Sequence, residues 1–304
     1  MKIYTLGTSH GDSTMTRFNT STAYQAQSGA VYLVDCGAPC EALLRRKGLR
    51  VQDVRAVFLT HLHIDHTAGL ISLTKQCTKY PGDRVVPMQV HLPEEEAIPA
   101  LKNWLRVLHE DPDHRLLHFT ASHVGPLYED DSIAVSAIRT RHLVNSAGEP
   151  SSFAYVLHFK QENLTVLHTG DLRGDFADYP QEAQTQHFDV CLCEATHYPP
   201  EAAQPVLKTA LLNHLIFIHI ADRWHLPGGE EALLNCFADM PYPVRVAHGG
   251  RDARRLQGEG RPGGRRRGRG RRRGRAAAEV FARRHVRNRL RGLQGRSAGG
   301  VFPE

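Results

Sequence analysis

The stretch Thr60-His61-Leu62-His63-Ile64-Asp65-His66-Thr67-Ala68-Gly69-Leu70 packs three imidazoles and a carboxylate into six residues, directly after the apolar run Val54, Ala56, Val57, Phe58 and Leu59. A run of that kind reads as a buried strand, so the polar residues stand where a rigid scaffold gives way to a loop, the usual place for working side chains. Four ligand-type groups so close together point to metal. On an extended chain residues i and i+2 face the same way. His61 and His63 can therefore grip one ion, while Asp65 and His66, beyond the turn, are aimed at a second. A single His-x-His pair would carry far less weight, because isolated histidines are mostly ordinary core or surface residues.

Further candidates follow at later strand ends. A strand expected from Ser132 to Thr140 leads into Arg141-His142, one from Leu164 to Leu167 into His168-Thr169-Gly170-Asp171, and the apolar run Leu215 to Ile218 into His219. The complete His-x-His-x-Asp-His string resembles the signature of the metallo-β-lactamase superfamily of hydrolases. More finely, the chain is similar to that superfamily's RNase Z-like branch, which also contains smaller phosphodiesterases. Leu6-Gly7-Thr8-Ser9-His10-Gly11-Asp12-Ser13 through Arg17 and Ser21 resembles the branch's opening glycine-rich loop, and Val34-Asp35-Cys36-Gly37 its next motif. Glu194-Ala195-Thr196 resembles the end of its His-Glu-Ala-Thr segment, and His219-Ile220-Ala221-Asp222-Arg223 its last ligand with a trailing arginine.

The resemblance implies that His61, His63 and His142 hold a first metal, that Asp65, His66 and His219 hold a second, and that Asp171 bridges them. It also implies a four-layer αββα sandwich with the metals at one edge, built from two similar halves. The composition fits one domain of about 250 residues, with strands and helices interspersed in layered α/β structure. Strands are expected near Lys2–Leu6, Ala30–Val34, Arg55–Leu59, Val85–Leu92, Ser132–Thr140, Phe153–Phe159, Leu164–Leu167, Val190–Cys193, Leu215–Ile218 and Val244–Ala247. Helices are expected near Cys40–Lys47, Ala68–Lys75, Glu94–His109, Pro205–His214 and Glu230–Ala238.

All-His/Asp coordination with open positions suits two divalent ions, zinc first, with manganese or iron also compatible. Two such ions about 3.5–4 Å apart can hold a bridging water and bring its pKa towards ~7. The resulting hydroxide would attack phosphorus or a carbonyl carbon. The expected activity is a metal-dependent phosphodiesterase acting on a small or short phosphodiester. A hydrolase of a lactone, thioester or other carboxylic ester is the alternative, since it would share the same centre. Asp65 can orient the nucleophile as well as bind metal, and Asp35 is expected to support a ligand histidine. Glu194 can assist a leaving group through a neighbouring histidine, and His225 can donate a proton or bind phosphate. His197 is a weaker candidate, Arg223 and His10 divide between pocket and structural roles, and His158, His168 and His248 read as structural.

The chain departs from the family pattern in places. Cys193 stands where the Glu-Ala-Thr segment would have its histidine, and Ile220-Ala221 lacks the hydroxyl residue often found after the last ligand. The long arm by which tRNA-processing RNase Z grips tRNA has no counterpart between Leu70 and His142, so tRNA 3' processing is the weaker expectation. Charge agrees. Residues 251–304 hold 18 arginines, no lysine and four acids, a net of +14; the whole chain is +6, which leaves 1–250 at −8. Gripping a polyanion needs several basic side chains on phosphates, so nucleic acid is an unlikely partner for the core and a possible one only through the tail.

Two domains are therefore delimited, a hydrolase domain over 1–250 and an Arg/Gly-rich low-complexity segment over 251–304. The latter reads as a disordered extension, as an RNA-binding segment, or as GC-rich DNA translated out of frame. No signal-peptide pattern and no membrane-length apolar run is present, and the six scattered cysteines suit free thiols in a reducing cytoplasm. A homodimer is compatible with the sequence.

Overall fold

The computed structural model describes residues 1–12, 14 and 17–249; the arginine-rich segment and its three interpretations lie outside them. The first half of the chain forms β1 (Lys2–Gly7), β2 (Ser21–Gln25), β3 (Val31–Val34), α1 (Cys40–Arg46), β4 (Val54–Phe58), α2 (Ile64–Thr67), α3 (Leu70–Lys79), β5 (Met88–Leu92), α4 (Ala97–Val107) and β6 (Leu117–Ala121). The second half forms β7 (Gly125–Glu129), β8 (Ile133–Val144), β9 (Pro150–Phe159), β10 (Leu164–His168), β11 (Val190–Ala195), α5 (Pro200–Thr209), β12 (Leu215–Ile220), α6 (Gly229–Cys236) and β13 (Val244–Val246).

The six strands β1 to β6 make one sheet in chain order, and β7 to β13 make the other, also in chain order. Each sheet begins with antiparallel pairs and continues with parallel ones, so the two halves are built alike. Tyr24, Tyr32, Phe58, Phe153, Tyr155 and Phe159 join the aliphatic residues that fill the space between the sheets. Leu43, Leu44, Leu70 and Leu73 bring α1 and α3 onto the outer face of the first sheet. Ala203, Leu207, Leu233 and Phe237 bring α5 and α6 onto the outer face of the second. Helix, sheet, sheet, helix is the expected sandwich. Each large side chain buried in these layers contributes roughly 1.5–3 kcal/mol.

Three strands escape the sequence pattern. β2 is buried along nearly its whole length, yet Ser-Thr-Ala-Tyr-Gln has no apolar alternation. β6 and β7 are half-exposed, and β7 carries Gly125 and Pro126, residues normally read as turn formers. The helix expected from Pro205 instead begins at Pro200, with proline at its first turn and Pro205 inside it. β8 does not stop at Thr140 but runs to Val144, so His142 lies within the strand. On β11, Cys191 and Cys193 face α5 and α6 while Leu192 faces the other sheet. All six cysteines are free, and five are buried. Among the described residues no helix is long and apolar enough to cross a membrane.

Candidate metal centre

Ligand-type side chains gather at the edge where β4, β10, β11 and β12 all end, because these parallel strands deliver their carboxyl-terminal residues to the same side. Three nitrogens converge first. His63 Nδ1 lies 2.9 Å from His61 Nε2 and 3.4 Å from His142 Nε2. Nitrogens about 2.0–2.1 Å from one tetrahedral zinc ion stand roughly 3.3 Å apart, so these separations suit a shared ion. Asp171 Oδ2 is 3.5 Å from His61 Nε2 and 3.7 Å from His142 Nε2.

The same oxygen faces a second group. It lies 3.3 Å from His66 Nε2 and 3.6 Å from His219 Nε2, and Asp65 Oδ2 is 3.4 Å and 3.1 Å from those two nitrogens. All seven residues expected as ligands are thus together, with Asp171 between two groups able to hold cations.

The surroundings decide which ring nitrogen each histidine presents. The Nδ1 hydrogen of His66 goes to Asp35 Oδ2 at 2.8 Å, that of His61 to Thr60 Oγ1 at 3.0 Å, that of His142 to the Leu172 carbonyl at 3.2 Å, and that of His219 to Thr196 Oγ1 at 3.1 Å. Each leaves its Nε2 lone pair facing the cluster, the orientation a ligand histidine needs. Asp35 is fully buried and also accepts from the Thr60 amide at 2.8 Å and the Thr60 hydroxyl at 3.0 Å.

Two buried atoms here lack partners, His66 Nε2 and Asp171 Oδ1. An orphaned imidazole nitrogen and carboxylate oxygen are costly unless something binds them, and a cation between the two groups meets that need. Burial and the neighbouring His66 hold His61 well below the usual imidazole range, which keeps it neutral as a ligand must be. Burial opposes ionisation of Asp171, but His219, His66 and His61 hold its carboxyl well below the usual range. The donor set therefore fits divalent metal.

Backbone geometry is tight at this edge. Asp35 and His219 both adopt positive φ, 60° and 47°, a conformation costly outside glycine and common at functional sites. Gly170 has φ +61°, and a Cβ there would meet Phe153 O and Thr60 Cβ at 2.8 Å. Only glycine lets the chain bring Asp171 between the sheets.

Glu194 is buried, and its two oxygens accept from the amides of Leu172 at 2.7 Å, Thr196 at 2.9 Å and His197 at 3.0 Å. They also hold His197 Nδ1 at 2.9 and 3.0 Å. Glu194 is thus the residue that folds the loop after β11 back on itself. That fold carries His197 to 3.8 Å from Asp171 Oδ2 and its ring to 4.5 Å from that of His142. Burial works against protonating His197, yet the Glu194 carboxylate outweighs it and pushes the imidazole up to about 9.

His197 gives only a weak signal in the sequence. Its only signal is the three-residue step from Glu194, which becomes informative once β11 is seen to end at Ala195. His225 stands apart from this constellation, 3.4 Å from Asp222, which also binds His10 at 3.0 Å. Arg223 donates to the carbonyls of Thr196 and Tyr198 at 3.2 and 3.3 Å, bracing the loop that carries His197. His168 is buried against the Tyr24 hydroxyl at 2.8 Å, and Cys193 packs against Tyr198 at 3.2 Å.

Residues 1–202 match the family model described as "Anti-Pycsar protein Apyc1". The chain is 32% identical over 152 residues to ribonuclease Z of Crocosphaera subtropica, covering 49% of this chain and 46% of that one. It is 35% identical over 150 residues to ribonuclease Z of Pseudomonas putida, covering 48% and 44%. The aligned segment spans a little under half the length of these curated relatives. Solved structures share the fold. The metallo-β-lactamase fold protein YhfI from Bacillus subtilis superposes with a TM-score of 0.65 at 18% identity, over 83% of this chain and 98% of that one. Human tRNase Z short form gives 0.62 at 18% identity over 83% and 98%, and a diphosphatase of the PhnP family 0.61 at 17% over 83% and 96%.

Proposed function

The chain belongs to the Anti-Pycsar protein Apyc1 family, within the RNase Z-like branch of metallo-β-lactamase-fold hydrolases, and from that premise we propose that it is a phosphodiesterase acting on a small or short phosphodiester. His61, His63 and His142 hold one divalent ion in this reading, Asp65, His66 and His219 another, and Asp171 both, with zinc the first choice. Bound there, such ions would acidify a coordinated water and neutralise charge on substrate oxygens. Asp65, between His66 and His219, orients the attacking water.

The observation that carries the reading is His197, clamped by Glu194 beside Asp171. With its Nδ1–H donated to Glu194, the protonated ring keeps its Nε2–H to give as a proton or a hydrogen bond to a leaving alkoxide, which an alkyl phosphodiester requires. Glu194 positions it. His225, beside His10 and Asp222, is assigned to donating a proton or binding the substrate phosphate. The names of relatives and neighbours, ribonuclease Z and a diphosphatase among them, support phosphate chemistry. The net charge of −8 over residues 1–250 favours a small substrate over a long nucleic acid. Carboxylic esters are the competing substrates, because the same ligand set serves both.

The test is metal content together with hydrolysis of bis(p-nitrophenyl) phosphate, for the natural protein and Asp171→Ala. About two ions per chain and a rate that falls at least ~10³-fold in the variant support the reading. Two ions with turnover of p-nitrophenyl acetate alone would move the assignment to carboxylic esters, and a metal-free protein would overturn it. Residues 1–250 form the hydrolase unit in this proposal, so deleting 251–304 should leave the rate on this small ester unchanged.

A further inference from the structure

The sandwich has a cavity of about 320 Å³ at its other end. It opens between the β2–β3 turn, the segment leading into β4 and the loop before β5, whereas the metal cluster follows the carboxyl-terminal end of β4. Its size is at the lower end of ligand pockets. Its lining includes three arginines, Arg50, Arg55 and Arg84, and two aspartates, Asp53 and Asp83.

The charges are unevenly paired. Arg50 takes both acids, at 2.6 Å to Asp53 and 3.6 Å to Asp83. Arg84 is only 7% exposed. Its terminal nitrogens donate to the carbonyls of Val86 at 2.9 Å, Val51 at 3.3 Å and Val54, but its Nε has no partner. Arg55, half-buried on β4, has no ion pair among the described residues. Among the described residues Arg55 thus has no carboxylate partner, and Arg84, within the field of Asp53 but with no ion pair of its own, keeps a buried N–H unsatisfied, a state that costs free energy. The guanidinium fork matches the oxygens of a phosphate group.

We propose that this cavity is a second binding site, separate from the metal cluster, for a small phosphate-bearing anion held by Arg55 and Arg84. The inference does not depend on which ester the metal edge cleaves.

The experiment is hydrogen exchange on the full, metal-loaded chain with and without inorganic phosphate, for the natural protein and Arg55→Gln. Location is read directly, so phosphate at the metal edge or on the arginine-rich segment does not confuse the result. The expected outcome is phosphate-dependent protection of residues 50–55 and 83–86, with a half-saturating concentration raised at least about tenfold in the variant, the loss typical of one charged hydrogen bond. Hydrolysis of the chromogenic ester by the variant should match that of the natural protein, which also reports that it folds. Should Arg55→Gln prove unstable, Arg55→Lys keeps the charge, loses the fork, and should weaken the same protection. No protection of these segments in the natural protein, or undiminished protection in a folded variant, overturns the proposal.

Discussion

Asp35→Asn tests the link between scaffold and metal edge. The carboxylate accepts from three hydrogens, those of the Thr60 amide, the Thr60 hydroxyl and His66 Nδ1. An amide of the same shape has one acceptor oxygen and one NH2. If the oxygen faces Thr60, the NH2 meets the His66 N–H, and the ring must exchange tautomers and place its hydrogen on Nε2, the atom turned towards Asp65 and Asp171. If the oxygen faces His66, the NH2 meets the Thr60 amide instead. Either way one hydrogen bond to a charged, fully buried acceptor is lost, which costs roughly 1.5–3 kcal/mol. Loss of such a partner typically weakens a metal site 10–100-fold, or about 1.4–2.7 kcal/mol. The assay is competition for zinc against a chromophoric chelator, with thermal melting of both metal-free proteins alongside. One of two ions should bind more weakly by that factor. If melting drops but both affinities stay unchanged, Asp35 anchors Thr60 only, and its assigned support of His66 is wrong.

Three further outcomes are expected. Gly170→Ala should lose at least about 2 kcal/mol of stability, since it combines a positive φ with contacts near 2.8 Å; denaturant melts in which it matches the natural protein would contradict that. Glu194→Gln and His197→Ala should each slow a phosphodiester with an alkoxide leaving group far more than bis(p-nitrophenyl) phosphate, whose phenolate leaves unassisted, and the double variant should be no slower than the worse single one if the pair acts as a unit; equal losses on both esters, or additive ones, would contradict that. His91 gives a pH prediction away from the metals. Burial, then His118 and His123, lower it to about 4, so the unfolded chain binds the extra proton between about pH 6.5 and 4. Stability is therefore lost as pH falls through that window, by up to about 3 kcal/mol. His91→Phe, stacked on Phe58 as the imidazole is at 4.9 Å, should flatten that part of the profile in chemical melts.

The candidate ligands are legible in the sequence because each sits at or just beyond an apolar strand, where a polar side chain breaks a strong hydrophobic pattern. Their partners were less so. Asp35 could be suspected of supporting a histidine, but nothing in the sequence assigns it to His66 rather than His61, since that choice depends on the register of β3 against β4. Glu194 could be suspected of acting through a histidine, yet which one depends on how the loop after β11 folds back. β2 was illegible because a strand buried on both faces can be filled with small hydroxyl residues when its neighbours supply the bulk. The start of α5 is ambiguous in the sequence because Pro200 and Pro205, five positions apart, give competing starts, and tertiary packing of Ala203 and Leu207 selects the first.

Each group of candidate ligands draws on both sheets, and that has a mechanical consequence. His61, His63, Asp65 and His66 belong to the first sheet's half, His142, Asp171 and His219 to the second's. Asp65 and His219, 3.1 Å apart, are separated by 154 residues. Whatever occupies the space between them closes a very long loop and ties the halves together, as a distant crosslink would, so its gain in chain entropy is drawn from the unfolded state. Chelation should therefore unfasten the sheets from each other before it disturbs either one alone.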